Sequence, residues 1–222
     1  MATGLETGFA FFDTAIGTCG IAWNGRGVAG VQLPEASLPE TRARLRRRFP
    51  EAREAPPPAP VREAIEGVVA LLRGEPCELD TVTLDMDGVP PFHRRVYEVA
   101  RTIPPGTTLS YGEVAARMGE PGAARDVGQA LGQNPFAIIV PCHRVLAANG
   151  KVGGFSARGG VRTKLRLISS ERAGGHGALP LFGGTTEDPP PVALGPAVLD
   201  SRRAHRRGLS AGRDRGGSRG DP

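Results

Sequence analysis

Cysteine is scarce in this chain: only Cys19, Cys77 and Cys142 occur among 222 residues. Three cysteines far apart argue against a disulfide framework and for a reducing compartment. No CxxC pair is present, so we expect no structural zinc site of the usual kind.

Long apolar runs are also missing. No stretch of 18 or more apolar residues occurs, so we expect no membrane span. The first residues, MATGLETGFAFFD, lack a basic segment followed by an apolar one, which argues against secretion and for a cytoplasmic protein. The length allows one large domain or two small ones.

Charge is unevenly distributed. Residues 1–100 carry 11 arginines and 14 acidic residues, a net charge of −3, whereas residues 101–171 carry +5 and residues 172–222 carry +3. A basic face can bind a polyanion, and it can equally be an ordinary solvated surface. Charge alone leaves both interpretations open.

The first 85 or so residues have the pattern of a small sheet with helices. Strands are expected at Phe9–Asp13, Gly20–Trp23 and Val28–Leu33, with Gly-containing turns between them. A helix capped by Ser37 should follow, and a second helix should stop at Gly74.

From Pro91 onward the pattern is helical. After a first helix, Ser110 and Glu113 have the spacing of a capping box, and a further helix is expected from Ala123 to about Leu131. Two short helices joined by a Gly-containing turn describe a helix-turn-helix, although any helical hairpin shows the same pattern.

The second helix of this pair has an unusual composition for a helix that recognises DNA bases. It offers the small residues Ala123, Ala124 and Gly128 and a single cation, Arg125. A helix that reads base edges usually carries several long polar side chains. Small residues with one arginine suit a protein that approaches a narrow groove and inserts one side chain into the base stack.

Residues 172–222 lose all periodicity. They hold 11 glycines and 6 prolines with a single aromatic residue, Phe182, so we expect them to be disordered. Their arginine-rich end either adds weak affinity for nucleic acid or has no role.

The stretch AIIVPCHRVL, residues 137–146, carries the reactive groups. Its four apolar residues predict a buried strand that ends at Pro141. A thiol becomes nucleophilic as thiolate, and His143 beside Cys142 can serve as the base, through a water. Glu171, at the end of a helix expected over 162–171, can orient that histidine. A cysteine protease or a thiol acyltransferase uses similar groups, but takes them from distant segments.

Four motifs in this order resemble the O6-alkylguanine-DNA alkyltransferases, also called methylated-DNA–protein-cysteine methyltransferases. The motifs are SYGEVA at 110–115, AARDVG at 123–128, PCHRV at 141–145 and KLRLISSE at 164–171. Residues 14–33 resemble, more loosely, the small ribonuclease-H-like domain of that family.

The resemblance implies an α+β fold in three parts. A ribonuclease-H-like domain would span 1–85, a winged-helix-like helix-turn-helix alkyltransferase domain would span 86–171, and the disordered tail would span 172–222. It also implies direct repair of double-stranded DNA that contains alkylated guanine. The protein would act once, as a monomer without a cofactor, flipping O6-methylguanine out of the duplex and keeping the alkyl group on Cys142. Whether O4-methylthymine or larger adducts are accepted stays open.

The resemblance also assigns roles to individual residues. Cys142 would be the nucleophile, His143 its water-mediated base and Glu171 the orienting carboxylate, while Asn134 would brace the turn. Tyr111 would donate a hydrogen bond to guanine N3, and Arg125 would fill the gap left by the flipped base, on a helix whose small residues are Ala123, Ala124 and Gly128. The base pocket would use the Val145 carbonyl and the Ser156 amide, with Leu131 and Phe155 as walls.

Three departures from the family pattern stand out. Phe155 takes the place of a tyrosine found in many relatives, and Asn24 and Ala29 stand at positions that hold zinc in some of them, so no metal is expected. The loop between Ser156 and Lys164 is two residues longer than in some relatives, which puts the position of Glu171 in question. No N-terminal cysteine cluster of the adaptive-response type is present, so a transcriptional activator is not expected.

Two other functions compete with alkyl transfer. A binding module would recognise alkylated bases and flag them for another pathway, but it has no need of the acceptor Cys142. A thiol hydrolase would turn over repeatedly on ester or amide substrates.

Overall fold

The computed structural model describes residues 7–173, and within them it is a mixed α+β fold, as the sequence predicts. The expected disorder of the tail concerns residues that lie almost entirely outside this range. No helix among the described residues is long and apolar enough to cross a membrane.

A four-stranded sheet forms the first part of the chain. Strands β1 (Gly8–Thr14), β2 (Gly17–Asn24) and β3 (Gly27–Gln32) make an antiparallel meander, and β4 (Arg53–Glu54) pairs parallel with β1. The three predicted strands are therefore confirmed, each with a shift of a few residues at its ends.

Two helices cover the two faces of this sheet. Helix α1 (Leu38–Arg48) begins at Ser37, whose hydroxyl accepts a hydrogen bond from the Glu40 amide, as the sequence predicts. Helix α2 (Ala59–Leu72) ends just before Gly74, which has a left-handed φ of 82°.

The alternation of side chains along β2 explains why the helices lie on opposite faces. Gly20 and Ala22 face α1, and a Cβ on Gly20 would lie 2.8 Å from Leu45 Cδ2. Ile21 points to the other face and packs in a core that contains Val68 of α2. Small residues on one face let α1 lie close to the sheet.

The second part of the chain is mainly helical. Its elements are α3 (Pro91–Arg101), β5 (Leu109–Ser110), α4 (Tyr111–Arg117), α5 (Ala124–Gly132), β6 (Val145–Leu146) and α6 (Val161–Ala173). The predicted capping box is confirmed: the Ser110 hydroxyl accepts the Glu113 amide at 3.1 Å, and the Glu113 carboxylate accepts the Ser110 amide at 2.6 Å.

Helices α3, α4 and α5 bury one apolar core, in which the Tyr97 hydroxyl donates to the Ala130 carbonyl at 2.9 Å. This bond joins α3 to α5 and fixes the second helix of the pair. Ile138 and Ile139 instead pack in the core of the sheet, together with Leu167 of α6. The segment that leads to Cys142 is therefore held between the two cores.

A polar cluster joins the β2–β3 hairpin to the segment before α3. The Asp85 carboxylate accepts hydrogen bonds from Asn24 Nδ2 at 2.6 Å and from Arg26 Nε and Nη2 at 2.8 and 2.9 Å. The Arg26 hydrogen bonds are the main cause that lowers the pKa of Asp85 to about 2. Asn24 thus acts as a hydrogen-bond donor that joins the β2–β3 hairpin to the segment before α3.

We expect Asp85→Asn to lower the free energy of unfolding by about 1 kcal/mol at pH 7, because it removes an ion pair in which the carboxylate is partly buried. The folded pKa lies below the unfolded one, so this stabilisation is present above about pH 4. It is lost as the pH falls towards 2. Urea unfolding of both proteins between pH 7 and pH 2.5 measures the difference. Asp87→Asn, at an exposed position, is the control, and an equal loss of stability in both variants would contradict this account.

Candidate active site

Cys142 lies on a turn and not at the end of a regular strand, so that prediction was wrong. Residues Cys142–Arg144 form one 3₁₀ turn, and Ile138 before it has a left-handed φ of 74°. The apolar run is buried because Ile138 and Ile139 pack towards the sheet while Val140 packs towards the helices. Burial on both sides produces the same apolar pattern as a buried strand.

Asn134 holds this turn with both ends of its side chain. Its Oδ1 accepts a hydrogen bond from the Phe136 amide at 2.9 Å, and its Nδ2 donates a hydrogen bond to the Val140 carbonyl at 2.9 Å. The backbone between residues 134 and 140 is thereby closed into a loop that places Cys142. Asn134 thus lies where a bracing residue is needed.

A buried cluster of charged groups lies under the turn. His143 Nε2 is 2.7 Å from Glu171 Oε1, and the same carboxylate accepts hydrogen bonds from Arg144 Nε and Nη2 at 2.8–3.1 Å. All three side chains are at most 8% exposed. The longer loop after Ser156 therefore does not displace Glu171 from His143.

This arrangement keeps Glu171 ionised. Burial by itself raises the pKa of Glu171, but the charge and hydrogen bonds of His143 and Arg144 together lower it to about 2. When the imidazole is neutral, its Nε2–H donates a hydrogen bond to the ionised carboxylate, and Nδ1 then carries no hydrogen. Nδ1 is buried and has no hydrogen-bond partner among the described residues. It is available to take a proton from a neighbouring group.

The Cys142 thiol is partly buried, and burial raises its pKa. The Asn134 side chain, the charge of Lys164 and the backbone amides of the turn act in the opposite direction. The other two thiols have different surroundings. Cys19 is fully buried, which raises its pKa to about 12, and Cys77, whose pKa is also raised by burial and by nearby carboxylates, lines a different cavity.

Lys164 belongs to the site, and the sequence reasoning did not single it out. It is 1% exposed, its Nζ donates to the Val145 carbonyl at 2.6 Å, and the Nζ lies 5.8 Å from the centre of the Tyr111 ring. Burial lowers the pKa of Lys164 to about 8, while the charge of Cys142 acts to raise it. The sequence does indicate that Lys164 is buried. Its spacing places it on one helical face with Leu167, Ile168 and Glu171, all of them buried.

A cavity of about 390 Å³ opens beside the sulfur. Eight of the residues predicted for the site line it: Tyr111, Ala124, Arg125, Gly128, Leu131, Cys142, Phe155 and Ser156. His143, Glu171 and Asn134 lie behind the cysteine and not on the wall. A cavity of this volume is in the range of small-molecule sites and accommodates a purine.

Two of the predicted residues lie elsewhere. Ala123 precedes α5 and does not line the cavity. The Val145 carbonyl is not on the wall either, and it already accepts a hydrogen bond from Lys164. Gly153 was not predicted, although a Cβ there would lie 3.2 Å from the Tyr111 hydroxyl, at a left-handed φ of 69°.

A helix cap would explain Tyr111, and a solvated surface charge would explain Arg125, without any part in the reaction. Ser110 caps α4, so Tyr111 is not needed as a cap, and its ring lines the cavity. Burial, and then the charge of Cys142, raise the pKa of Tyr111, so that its hydroxyl keeps its proton. Arg125 is exposed and makes no ion pair within residues 7–173.

No group of three His, Cys, Asp or Glu side chains that could hold a metal ion occurs in the described part of the chain.

Known proteins are similar to this chain in the sequence and the fold that carry this site. A family model described as "6-O-methylguanine DNA methyltransferase, DNA binding domain" matches residues 91–173. The methylated-DNA–protein-cysteine methyltransferase of Mycobacterium tuberculosis is 38% identical over 170 residues, which cover 77% of this chain and 95% of that protein. The protein of the same name from Methanothermobacter thermautotrophicus is 34% identical over 152 residues, 68% of this chain and 78% of its own.

A solved structure agrees with these matches. The crystal structure of Mycobacterium tuberculosis OGT in complex with DNA is 37% identical, with a TM-score of 0.60, and the match covers 74% of this chain and 92% of that one. The resemblance carried by SYGEVA, AARDVG, PCHRV and KLRLISSE is thereby confirmed. The chain belongs to the methylated-DNA–protein-cysteine methyltransferase family.

Proposed function

We propose that this protein repairs alkylated DNA directly, by transferring the alkyl group from guanine O6 to its own Cys142. The observation that carries the proposal is the position of the sulfur. Cys142 lines a cavity of about 390 Å³, and the buried His143–Glu171 pair lies directly behind it. Family membership supports the same reaction, since the mycobacterial relative is named for it.

The chemistry starts with the thiol. Its proton passes to His143 Nδ1, through a water, and Glu171 stabilises the imidazolium that forms. The thiolate attacks the alkyl carbon from the side opposite O6, so that an S–C bond forms as the C–O bond breaks. Tyr111 donates a hydrogen bond to guanine N3 and offsets the negative charge on the departing base, which then takes up the proton released by the thiol and leaves as neutral guanine. The thioether is stable, so each molecule reacts once.

Access to the base requires that it leave the duplex. In this proposal α5 lies in a DNA groove, where the small side chains of Ala123, Ala124 and Gly128 allow a close approach. Arg125, exposed and without an ion-pair partner in the described range, enters the stack and recovers part of the cost of unstacking. Leu131 and Phe155 pack against the flipped base, and the Ser156 amide holds its edge. The Val145 carbonyl, which does not line the cavity and accepts a hydrogen bond from Lys164, has no part in this proposal.

The finer description of the fold is part of the same proposal. The sheet with α1 and α2 would be a reduced ribonuclease-H-like unit, and α3 to β6 a winged-helix-like unit, with the division near residue 85. We further propose that the protein acts as a cytoplasmic monomer on duplex DNA with alkylated guanine, and that it needs no cofactor or metal.

Intact-mass measurement of the full chain after incubation with a duplex containing O6-methylguanine tests the proposal. We expect a gain equal to one CH₂ group, one per molecule, because a methyl group replaces the thiol hydrogen. Cys142→Ala should gain nothing and still bind DNA, whereas Cys77→Ala should gain as the wild type does. No gain in the wild type would favour a binding module, and repeated turnover on esters would favour a hydrolase.

Arg125→Ala should slow transfer from duplex DNA by about tenfold, because the gap in the stack is no longer filled. Transfer from the free O6-alkylguanine base needs no flipping and should stay within twofold of the wild type. Single-turnover rates on both substrates measure this, with Arg62→Ala on the surface of α2 as the control. Equal slowing on both substrates would show that Arg125 does not act as a finger.

Lys164→Met should shift the pH dependence of transfer to higher pH, because the variant loses the buried positive charge that favours the thiolate. A shift of about one pH unit corresponds to roughly tenfold slower transfer at pH 7. Rates between pH 6 and pH 9 measure it, and Lys164→Arg should restore much of the loss. An equal fall at every pH, with no displacement of the curve, would indicate a purely structural role.

A further inference from the structure

Cys142 faces two cavities. Besides the first, a second cavity of about 200 Å³ reaches the sulfur from the side of the N-terminal sheet. The two share the wall formed by Gly132, Cys142, Phe155 and Ser156. Cys142, the reacting residue, therefore lies on the wall of both cavities.

The second cavity is lined by two arginines, whereas the first is lined by one, Arg125. Arg44 and Arg48 lie four residues apart on α1, so they project from the same face of the helix and line this cavity. The Arg48 guanidinium donates only to uncharged oxygens, the Val31 and Pro135 carbonyls and Gln32 Oε1, all at 3.2 Å. Arg48 has no carboxylate partner among the described residues.

The charges around this wall leave one positive charge in excess. Arg44 is paired with Glu35 at 3.0 Å, and Glu35 also accepts a hydrogen bond from Gln32. Arg48 has no such compensation. The residue is exposed at the surface, but partial burial of its guanidinium, followed by repulsion from Arg44, lowers its pKa. Two guanidinium groups that repel each other favour an oxyanion between them.

The proposed reaction determines what enters this cavity. The carbon that is transferred lies between guanine O6 and the Cys142 sulfur, and the guanine occupies the first cavity. In a longer alkyl group the remaining atoms start at that carbon, and the second cavity is a space beside Cys142 that the guanine does not occupy. The same displacement then transfers the whole group, with one S–C bond formed and one C–O bond broken.

We propose that the second cavity is a subsite for the alkyl group, and that Arg44 and Arg48 make the protein select O6-alkyl groups that end in a carboxylate. The inference rests on the proposed alkyl transfer to Cys142. It adds a substrate class, because an arginine pair binds a carboxylate more strongly than it binds an uncharged group.

Three duplexes test the subsite in single-turnover experiments. One carries O6-methylguanine, one carries guanine with a carboxypropyl group on O6, and one carries the primary amide of that group, which has nearly the same shape without the charge. We expect the wild-type protein to react about tenfold faster with the acid than with the amide. Arg44→Gln should bring this ratio close to one and leave methyl transfer within twofold.

Arg47→Gln is the matched control, because Arg47 is exposed on α1 and does not line the cavity. It should keep the wild-type ratio. Arg48→Gln should also lose the ratio, and thermal unfolding shows whether it remains folded.

Equal rates of the wild type with acid and amide would overturn the subsite, and so would equal slowing of all three duplexes in Arg44→Gln. The second result would mean that the arginines contact the phosphates of the DNA. Neither result affects methyl transfer by the wild type, so the subsite can fail while the proposed function stands. Absence of methyl transfer by the wild type would instead contradict the proposed function.

Discussion

The buried carboxylate of Glu171 is the interaction on which the rest of the site depends. It lies between His143 and Arg144, two consecutive residues of the 3₁₀ turn, and it also accepts the Gly106 amide at 3.3 Å. One side chain from α6 thus fixes the turn that carries Cys142 and the loop after α3. A buried carboxylate is costly unless it is paired, and here two partners and a backbone amide compensate it. The hydrogen bond to Glu171 orients the imidazole of His143, and this orientation decides which ring nitrogen can take the thiol proton.

The chemistry of the thiol then follows from a balance of opposing effects. Burial favours the protonated form of Cys142, while the Asn134 side chain and the charge of Lys164 favour the thiolate. Lys164 is a buried cation without a carboxylate partner in the described range, and such a group is retained only where its charge is useful or its hydrogen bonds suffice. Its single strong contact, with the Val145 carbonyl, holds it beside the place where negative charge develops. The positive charge of Lys164 that favours the thiolate is therefore in place before the substrate binds.

Local patterns predicted the parts of the structure that depend on local forces. The capping box at Ser110, the cap at Ser37 and the helix that carries Glu171 follow from spacing within a few residues, and all are present. The prediction of a strand before Cys142 was wrong, because an apolar run buried between two cores has the same sequence pattern as a buried strand. Lys164 and the arginines of the second cavity were missed for a different reason. Their significance depends on which distant segments lie against them, and one sequence does not contain that information.

Glu171 fixes the imidazole so that Nδ1 is free to take the thiol proton, and the proposed reaction depends on this. Nitrogen-15 chemical shifts of the His143 ring in the unreacted protein at neutral pH measure it directly. We expect a hydrogen on Nε2, next to Glu171, and none on Nδ1. A hydrogen on Nδ1 would contradict it, because that nitrogen would then be unable to accept the proton of Cys142.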